Sequence, residues 1–278
     1  GLGASLAGFL PIPEIQYLAY LHNAEDQLRG EAATLSFLSR GTYQNPLVVR
    51  IAGYGYQKGF GGHFHNANAL GVLRDIPGLV IASPSRPDDA AAMLRTCVAA
   101  AREDGSVCVY LEPIALYHTR DLHEEGDAEW LAPYVAPERW SETHVPIGRG
   151  RTWLDGKDLT LVTFANGLYM SLRVARRLQR EHGIQARVLD LRWLSPLPVE
   201  DLLREAQVTG RVLVVDETRK SGSVSEGVCA ALIDHAFAGR ITRVNSHDSF
   251  VPLGNAAFEV LLSEQTIYEA ARGLATAR

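Results

Sequence analysis

Short apolar runs alternate with amphipathic stretches along the first half of the chain. Residues 47–52, 79–82 and 107–111 are rich in Val, Leu and Ile, and they predict buried strands. Residues 87–102 begin with a proline and place apolar residues on one side, which predicts a helix between the second and third of these strands. Strands that alternate with helices are typical of parallel βαβ units.

The second half repeats this alternation, with four apolar runs that predict strands and four amphipathic stretches that predict helices. The predicted strands are residues 159–164, 186–191, 211–216 and 241–244, and the predicted helices are residues 168–182, 199–207, 225–237 and 255–274. The sequence therefore predicts an α/β fold in two domains, each a mostly parallel sheet flanked by helices.

The segment between these halves differs in composition from both. It contains an acidic run and recurring prolines, which predict a linker over residues 121–157. The predicted domains are residues 1–120 and 158–278. Because the chain opens in a glycine-rich stretch without Met, we expect the first domain to be truncated at its N-terminus.

Composition narrows the classes of function. The chain has 27 basic and 32 acidic residues and a net charge of −5, without a basic cluster, so we expect no nucleic-acid partner. No apolar run has the length of a membrane span, so we expect no membrane partner. Three cysteines without a CxxC pair indicate free thiols in a reducing compartment, and we expect a cytoplasmic protein.

Residues 53–66 hold the densest group of unusual residues, with five glycines and the histidines His63 and His65. They follow a predicted strand, and loops at the carboxyl ends of parallel strands form ligand crevices. The spacing matches neither the dinucleotide nor the phosphate-loop pattern. No third ligand accompanies the two histidines at a suitable spacing, so we expect no metal site.

A second glycine loop, residues 216–227, also follows a predicted strand and precedes a predicted helix. The amides of such a helix can face an anion. Alternatively, Asp216 and Glu217 only end the strand, and Glu226 only favours the helix dipole. We favour this structural interpretation for each of the three residues.

Taken together, the motifs resemble a known family. In the first half, residues 14–20, 23–27, 46–50, 61–66, 77–85 and 111–113 resemble the pyrimidine-binding domain of the β subunits of pyruvate and branched-chain 2-oxo acid dehydrogenases. In the second half, residues 190–197, 214–217 and 248–253 resemble the transketolase C-terminal domain. The stretches occur in the family's order and cover nearly the whole chain.

The resemblance implies decarboxylation of a 2-oxo acid on thiamine diphosphate and magnesium, with transfer of the acyl group to a lipoyl-bearing acyltransferase. It implies an α subunit or α-like N-terminal half as partner, in a homodimer or heterotetramer. Gln16 and Tyr20 match positions that contact the cofactor's aminopyrimidine ring. His65 matches the active-site histidine, and His63 ranks second. A structural potassium ion would lie near residues 47–49 and Cys97, although the extra residues 99–102 count against it.

Two features of the family are missing from this sequence. A glutamate that precedes the glycine-rich stretch and activates the cofactor would lie upstream of Gly1. The GDG motif with a following asparagine, which holds magnesium and diphosphate, is absent, and Gly126-Asp127 is followed by alanine. We therefore expect the chain alone to be inactive and to bind thiamine diphosphate weakly.

Two alternatives remain open. A transketolase or a deoxyxylulose-phosphate synthase shares the domain order and would need basic residues for its sugar phosphates, which Arg50 and Lys58 could supply. A non-catalytic dimerising scaffold would have kept the fold without the cofactor, but it would not need Gln16, Tyr20 and His65.

Overall fold

The computed structural model describes residues 1–57 and 61–277. Its strands form two five-stranded sheets. In chain order the strands are β1 (Glu14–Ile15), β2 (Leu47–Gly53), β3 (Val80–Ala82), β4 (Val107–Pro113), β5 (Arg151–Asp155), β6 (Leu159–Thr163), β7 (Ala186–Asp190), β8 (Trp193–Ser195), β9 (Arg211–Arg219) and β10 (Arg240–Ser246).

The first sheet has the order β1-β2-β4-β3-β8 and the second the order β10-β9-β6-β7-β5. Four strands of each sheet run parallel, and the edge strands β8 and β5 run antiparallel to their neighbours. The central strands are buried on both faces, as parallel strands between helical layers must be. The predicted fold class, two mostly parallel sheets flanked by helices, is confirmed.

Nine α-helices lie among the described residues, and those of the first half are short except for the fifth. They are α1 (Leu2–Leu6), α2 (Glu25–Gln27), α3 (Leu35–Leu38), α4 (Gly71–Arg74), α5 (Pro87–Asp104), α6 (Asn166–His182), α7 (Val199–Thr209), α8 (Val224–Asp234) and α9 (Glu264–Thr276). The longest, α5 and α6, both end at a glycine in the left-handed conformation, Gly105 and Gly183.

Strand β8 belongs to the second half of the sequence but completes the first sheet. Its residues Trp193 and Ser195 pair with Ala82 and Ile81 of β3. The main chain reaches this position through Arg192, which has a positive φ of 61° and separates β8 from β7. The two halves of the chain therefore share a sheet.

The range predicted as a linker is ordered. Asp127 accepts hydrogen bonds from the amides of Leu122, His123 and Glu124, and Trp130 is 1% exposed in the core of the second half. The range ends in β5, which pairs with β7. The division into residues 1–120, 121–157 and 158–278 stays a prediction.

The prediction of one helix over residues 255–274 was wrong. A 3-10 turn, Gly254–Glu259, and helix α9 are separated by the non-helical segment 260–263. Two contacts hold this segment to the sheet, because His247 N donates to Val260 O and Leu262 N donates to Ser246 Oγ. Ser263 then starts α9 by accepting a hydrogen bond from Thr266 N.

One apolar core runs through both halves. It includes Ile51 and Leu111 from the first sheet and Val162 and Leu189 from the second. Across the junction, the rings of Tyr54 and Phe164 lie 6.1 Å apart. Within the described part of the chain, no helix is long and apolar enough to cross a bilayer.

Candidate functional site

The loop that carries the two histidines follows the carboxyl end of β2. Gly61 and Gly62 both have positive φ, and a 3-10 turn, Gly62–Phe64, leads to His65. A Cβ at Gly61 would lie 1.8 Å from His65 Nδ1, so only glycine leaves room for the imidazole in this position. The described part of this loop, residues 61–68, is called the histidine loop below.

An aromatic cluster forms around His65. The ring centroids of Tyr17 and Tyr20 lie 5.1 and 6.0 Å from that of His65 and 5.7 Å from each other, all in edge-on geometry. Tyr17 and Tyr20 flank the start of a 3-10 turn, Leu18–Asn23, which follows β1. In such a turn, residues three apart lie on the same side. Both tyrosines and His65 are partly exposed, so their rings form an accessible aromatic surface.

The structure places the four residues predicted for the site in different surroundings. Tyr20 and His65 share the aromatic cluster, and Gln16 is exposed directly before Tyr17 at the carboxyl end of β1. His63 is also exposed, but its ring packs on Phe64 at 4.1 Å and on Phe250 at 5.2 Å. Among the described residues, the ring contacts of His63 are therefore with Phe64 and Phe250, whereas those of His65 are with Tyr17 and Tyr20.

Three hydrogen bonds of 3.1–3.3 Å hold the histidine loop to nearby residues. Gln57 Nε2 donates to His65 O at 3.2 Å, and Gln57 N donates to Asn66 Oδ1 at 3.3 Å. Asn66 Nδ2 donates to Gly62 O at 3.1 Å, and the side chain is 3% exposed. Lys58, which the sugar-phosphate alternative invoked, lies outside the described residues.

Arg50, the other basic residue of that alternative, is already paired. Its guanidinium donates to Glu112 at 2.6 and 3.1 Å and to Glu14 at 3.3 Å. The hydrogen bond to Glu112 is the main cause that raises the pKa of Arg50. A guanidinium held by two carboxylates is not presented to a phosphate, which disfavours the sugar-phosphate alternative.

The second glycine loop contains two carboxyl groups that contact helix N-termini. Asp216 Oδ2 accepts a hydrogen bond from Ser225 N at 2.7 Å, at the start of α8. Glu217 accepts from Asn166 N at 2.9 Å and from Asn166 Nδ2 at 2.7 Å, at the start of α6. Both carboxyls are fully buried, and burial raises the pKa of Asp216 and raises that of Glu217 to about 8.

Side chains of β9 therefore occupy both helix N-termini, where an anionic ligand would otherwise bind. The interpretation that Asp216 and Glu217 only end the strand was wrong, because β9 continues to Arg219 and both residues lie inside it. Their carboxyls instead contact the starts of α8 and α6.

Metal ligands are not grouped in the described part of the chain. Among residues 1–57 and 61–277, no three or more His, Cys, Asp or Glu side chains are arranged to hold a metal ion. Residues 47–49 lie within β2, and Cys97 lies in α5 and packs in the same apolar cluster as Val48. A potassium ion at this place stays a prediction.

A cavity of about 760 Å³ lies away from the aromatic cluster. Its lining includes Asn45 before β2 and Gly105 and Ser106 before β4, so it opens at the amino ends of these strands. Ligand sites of parallel sheets form at the opposite, carboxyl ends, which is where His65 lies.

The chain has two mostly parallel sheets, and the first sheet is completed by β8 from the second half of the sequence. An accessible cluster of two tyrosines and a histidine lies at the carboxyl ends of the first sheet. These features define a two-domain α/β protein with a candidate ligand site. Family models agree with this division. The transketolase pyrimidine-binding domain matches residues 1–117, and the transketolase C-terminal domain matches residues 148–267.

Individual proteins resemble the chain over nearly its whole length. The pyruvate dehydrogenase E1 component subunit beta of Staphylococcus epidermidis and that of Bacillus subtilis are each 30% identical to it, covering 98% of this chain and 78% of the relative. A split-gene transketolase solved as an inactive beta4 tetramer superposes with a TM-score of 0.74 at 19% identity, covering 99% of this chain and 79% of the other. That likeness shows the fold alone.

The chain belongs to the transketolase superfamily, as a protein with a pyrimidine-binding domain followed by a transketolase C-terminal domain. The resemblance inferred from the sequence motifs is thereby confirmed.

Proposed function

We propose that the chain is the β component of a thiamine-diphosphate-dependent 2-oxo acid dehydrogenase, in its decarboxylating enzyme. The observation that supports this most directly is the cluster of His65, Tyr17 and Tyr20 at the carboxyl end of the first sheet. The names of the relatives from Staphylococcus and Bacillus point to pyruvate as the 2-oxo acid.

The residues at this place fit one end of the cofactor. An aminopyrimidine is a flat aromatic ring with donors and acceptors on its edge. The partly exposed ring of Tyr20 offers an aromatic face, and the exposed amide of Gln16 offers both a donor and an acceptor. We therefore assign pyrimidine binding to Gln16 and Tyr20, and we add Tyr17, whose ring contacts that of Tyr20 edge-on.

The other end of the cofactor needs a partner. Diphosphate and magnesium require several oxygen ligands and amide donors. The N-termini of α6 and α8, which could supply amides, are already occupied by the carboxyls of Glu217 and Asp216. We assign this role to an α subunit or α-like half, in a heterotetramer or a dimer of fused chains. The chain without that partner is then expected to be inactive.

His65 is the proposed acid–base group. An imidazole can hold or release a proton near neutral pH, and the glycines of the loop direct that of His65 toward the two tyrosines. The bound cofactor would supply the electron sink for loss of carbon dioxide. His65 would then hold a proton at its ring nitrogen beside the reacting carbonyl. The lipoyl disulfide of an acyltransferase would accept the acyl group, and one of its sulfurs would form the thioester while the other is reduced to a thiol.

Substitution of His65 tests the proposal. In the complex with the α-type subunit, His65→Ala is expected to lower kcat by about 10²–10⁴-fold, the usual contribution of a positioned acid or base. Decarboxylation is followed with an artificial electron acceptor, so that the acyltransferase is not needed. His63→Ala is the matched control, since it removes the same side chain two residues away and is expected to cost less.

Equal activity of His65→Ala and the parent, or equal loss in both variants, would remove His65 from its assigned role. The same assay with pyruvate and with a branched-chain 2-oxo acid decides the substrate. A preference for the branched-chain acid would contradict the assignment of pyruvate.

A further inference from the structure

A buried side chain of the histidine loop, that of Asn68, is hydrogen-bonded to the second half of the chain. Asn68 is 3% exposed, and its Nδ2 donates to the backbone carbonyl of Glu217 in β9 at 2.7 Å. Gly55 permits this approach, because a Cβ there would lie 2.9 Å from Asn68 Oδ1. The contact joins residues that are 149 positions apart in the sequence.

A second path reaches the same carbonyl from the other side of the histidines. Tyr56 OH donates to Leu262 O at 3.0 Å, and Leu262 N donates to Ser246 Oγ at 3.0 Å. Ser246 Oγ in turn donates to Glu217 O at 2.8 Å. The two paths meet at one oxygen atom and connect Tyr56 and Asn68, which flank the histidines in the sequence, to β9.

The backbone carbonyl of Glu217, at which both paths meet, is held in place by the surrounding structure. Glu217 lies in β9, which is inside the second sheet, between β10 and β6. Its carboxyl is held by two hydrogen bonds from Asn166, and the residue is fully buried. Movement of its carbonyl would disturb both the sheet and the start of α6.

We propose that Asn68 is a positioning residue, which holds His65 against Tyr17 and Tyr20 by anchoring the histidine loop to β9. Ser246 supports the same carbonyl from the second path. The effect on activity rests on the function proposed for His65, whereas the anchoring is a property of the chain itself. The two can therefore be measured separately.

The anchoring is tested by hydrogen exchange on the whole chain. Loss of the Asn68 hydrogen bond is expected to speed exchange in residues 61–68 by roughly fivefold in Asn68→Ala. The matched control is Asn45→Ala, which removes an equally buried asparagine (4% exposed) before β2. The histidine ring signal of His65, assigned with His65→Gln, should shift in Asn68→Ala and stay in place in Asn45→Ala.

Ser246 provides a second pair of variants should Asn68→Ala fold poorly. Ser246→Ala removes the hydroxyl that donates to Glu217 O and accepts from Leu262 N, whereas Ser246→Thr keeps it. Faster exchange in residues 61–68 is expected in Ser246→Ala, with recovery in Ser246→Thr.

Activity in the complex with the α-type subunit completes the test. Displacement of a catalytic group by about 1 Å can cost about 100-fold, so Asn68→Ala is expected to lower kcat by roughly 10–100-fold with little change in KM. Unchanged exchange and an unchanged His65 signal in Asn68→Ala would overturn the positioning role. Faster exchange with full activity would support the anchoring and would count against the function proposed for His65.

Discussion

Asp190, at the end of β7, carries a carboxyl whose titration should be visible in the stability of the protein. Its side chain is fully buried, and burial raises its pKa to about 7 from an ordinary value of 3.8. The negative charge of Asp89 adds to this rise, and the guanidinium of Arg192 partly opposes it. The unfolded chain therefore releases this proton above about pH 4, whereas the folded protein keeps it up to about pH 7.

The stability associated with this proton is present below pH 4 and is lost as the pH rises toward 7. The pKa values of Asp190 in the folded and unfolded protein differ by about three units. At about 1.36 kcal/mol per unit, the free energy of unfolding falls by about 4 kcal/mol, and most of this fall occurs above pH 5. Asparagine does not titrate. Between pH 5 and pH 8, the free energy of unfolding of Asp190→Asn should therefore rise by about 2–3 kcal/mol relative to that of the parent.

Urea unfolding at several pH values, followed by tryptophan fluorescence, measures this difference. Trp193 is fully buried three residues from Asp190 and reports on the same region. Asp155→Asn, at an exposed position, is the matched control and should follow the parent at every pH. If Asp190→Asn differs from the parent by the same free energy at pH 5 and pH 8, the raised pKa of Asp190 is refuted.

Two further predictions concern helix starts in the second half. A Cβ at Gly167 would lie 2.2 Å from Thr163 Oγ1, so Gly167→Ala should lower the free energy of unfolding by about 1–3 kcal/mol. Adding Thr163→Ala should recover at least half of this loss, and strictly additive effects in a double-mutant cycle would exclude the clash. Ser263→Ala should cost about 1 kcal/mol, since Ser263 Oγ accepts the Thr266 amide at the start of α9. Ser263→Asp keeps a hydrogen-bond acceptor and should have a Tm near that of the parent. Equal Tm values for the parent, Ser263→Ala and Ser263→Asp would show that the N-cap hydrogen bond does not stabilise α9.

The fold could be predicted from the sequence where apolar runs are long. Strands β2, β6 and β9 each have three or four Val, Leu or Ile residues near their start, and each begins at its predicted residue. Two edge strands, β5 and β8, could not be predicted in this way, whereas the edge strand β10 was predicted as residues 241–244. β8 has three residues and directly follows β7, and β5 mixes two charged residues with three others, so neither interrupts the local pattern.

The site could be predicted only in part for a related reason. Tyr20 and His65 stood out through the motif resemblance, and they do lie in one cluster. Tyr17 was missed, although its spacing of three from Tyr20 suits a 3-10 turn. Asn68 was missed because a loop asparagine carries no local sign of its partner, which follows 149 residues later.

The position of β8 in the first sheet has a consequence for synthesis on the ribosome. β1 to β4 are complete once Pro113 has been made, but the pairing edge of β3 stays open until Trp193–Ser195 follow. At about 5–20 residues per second, the interval of about 80 residues lasts roughly 4–16 s. During this time a growing chain exposes an unpaired apolar edge, the kind of surface on which neighbouring chains on a polysome can pair wrongly. Expression at lower ribosome density on the message should therefore raise the soluble yield of the full chain.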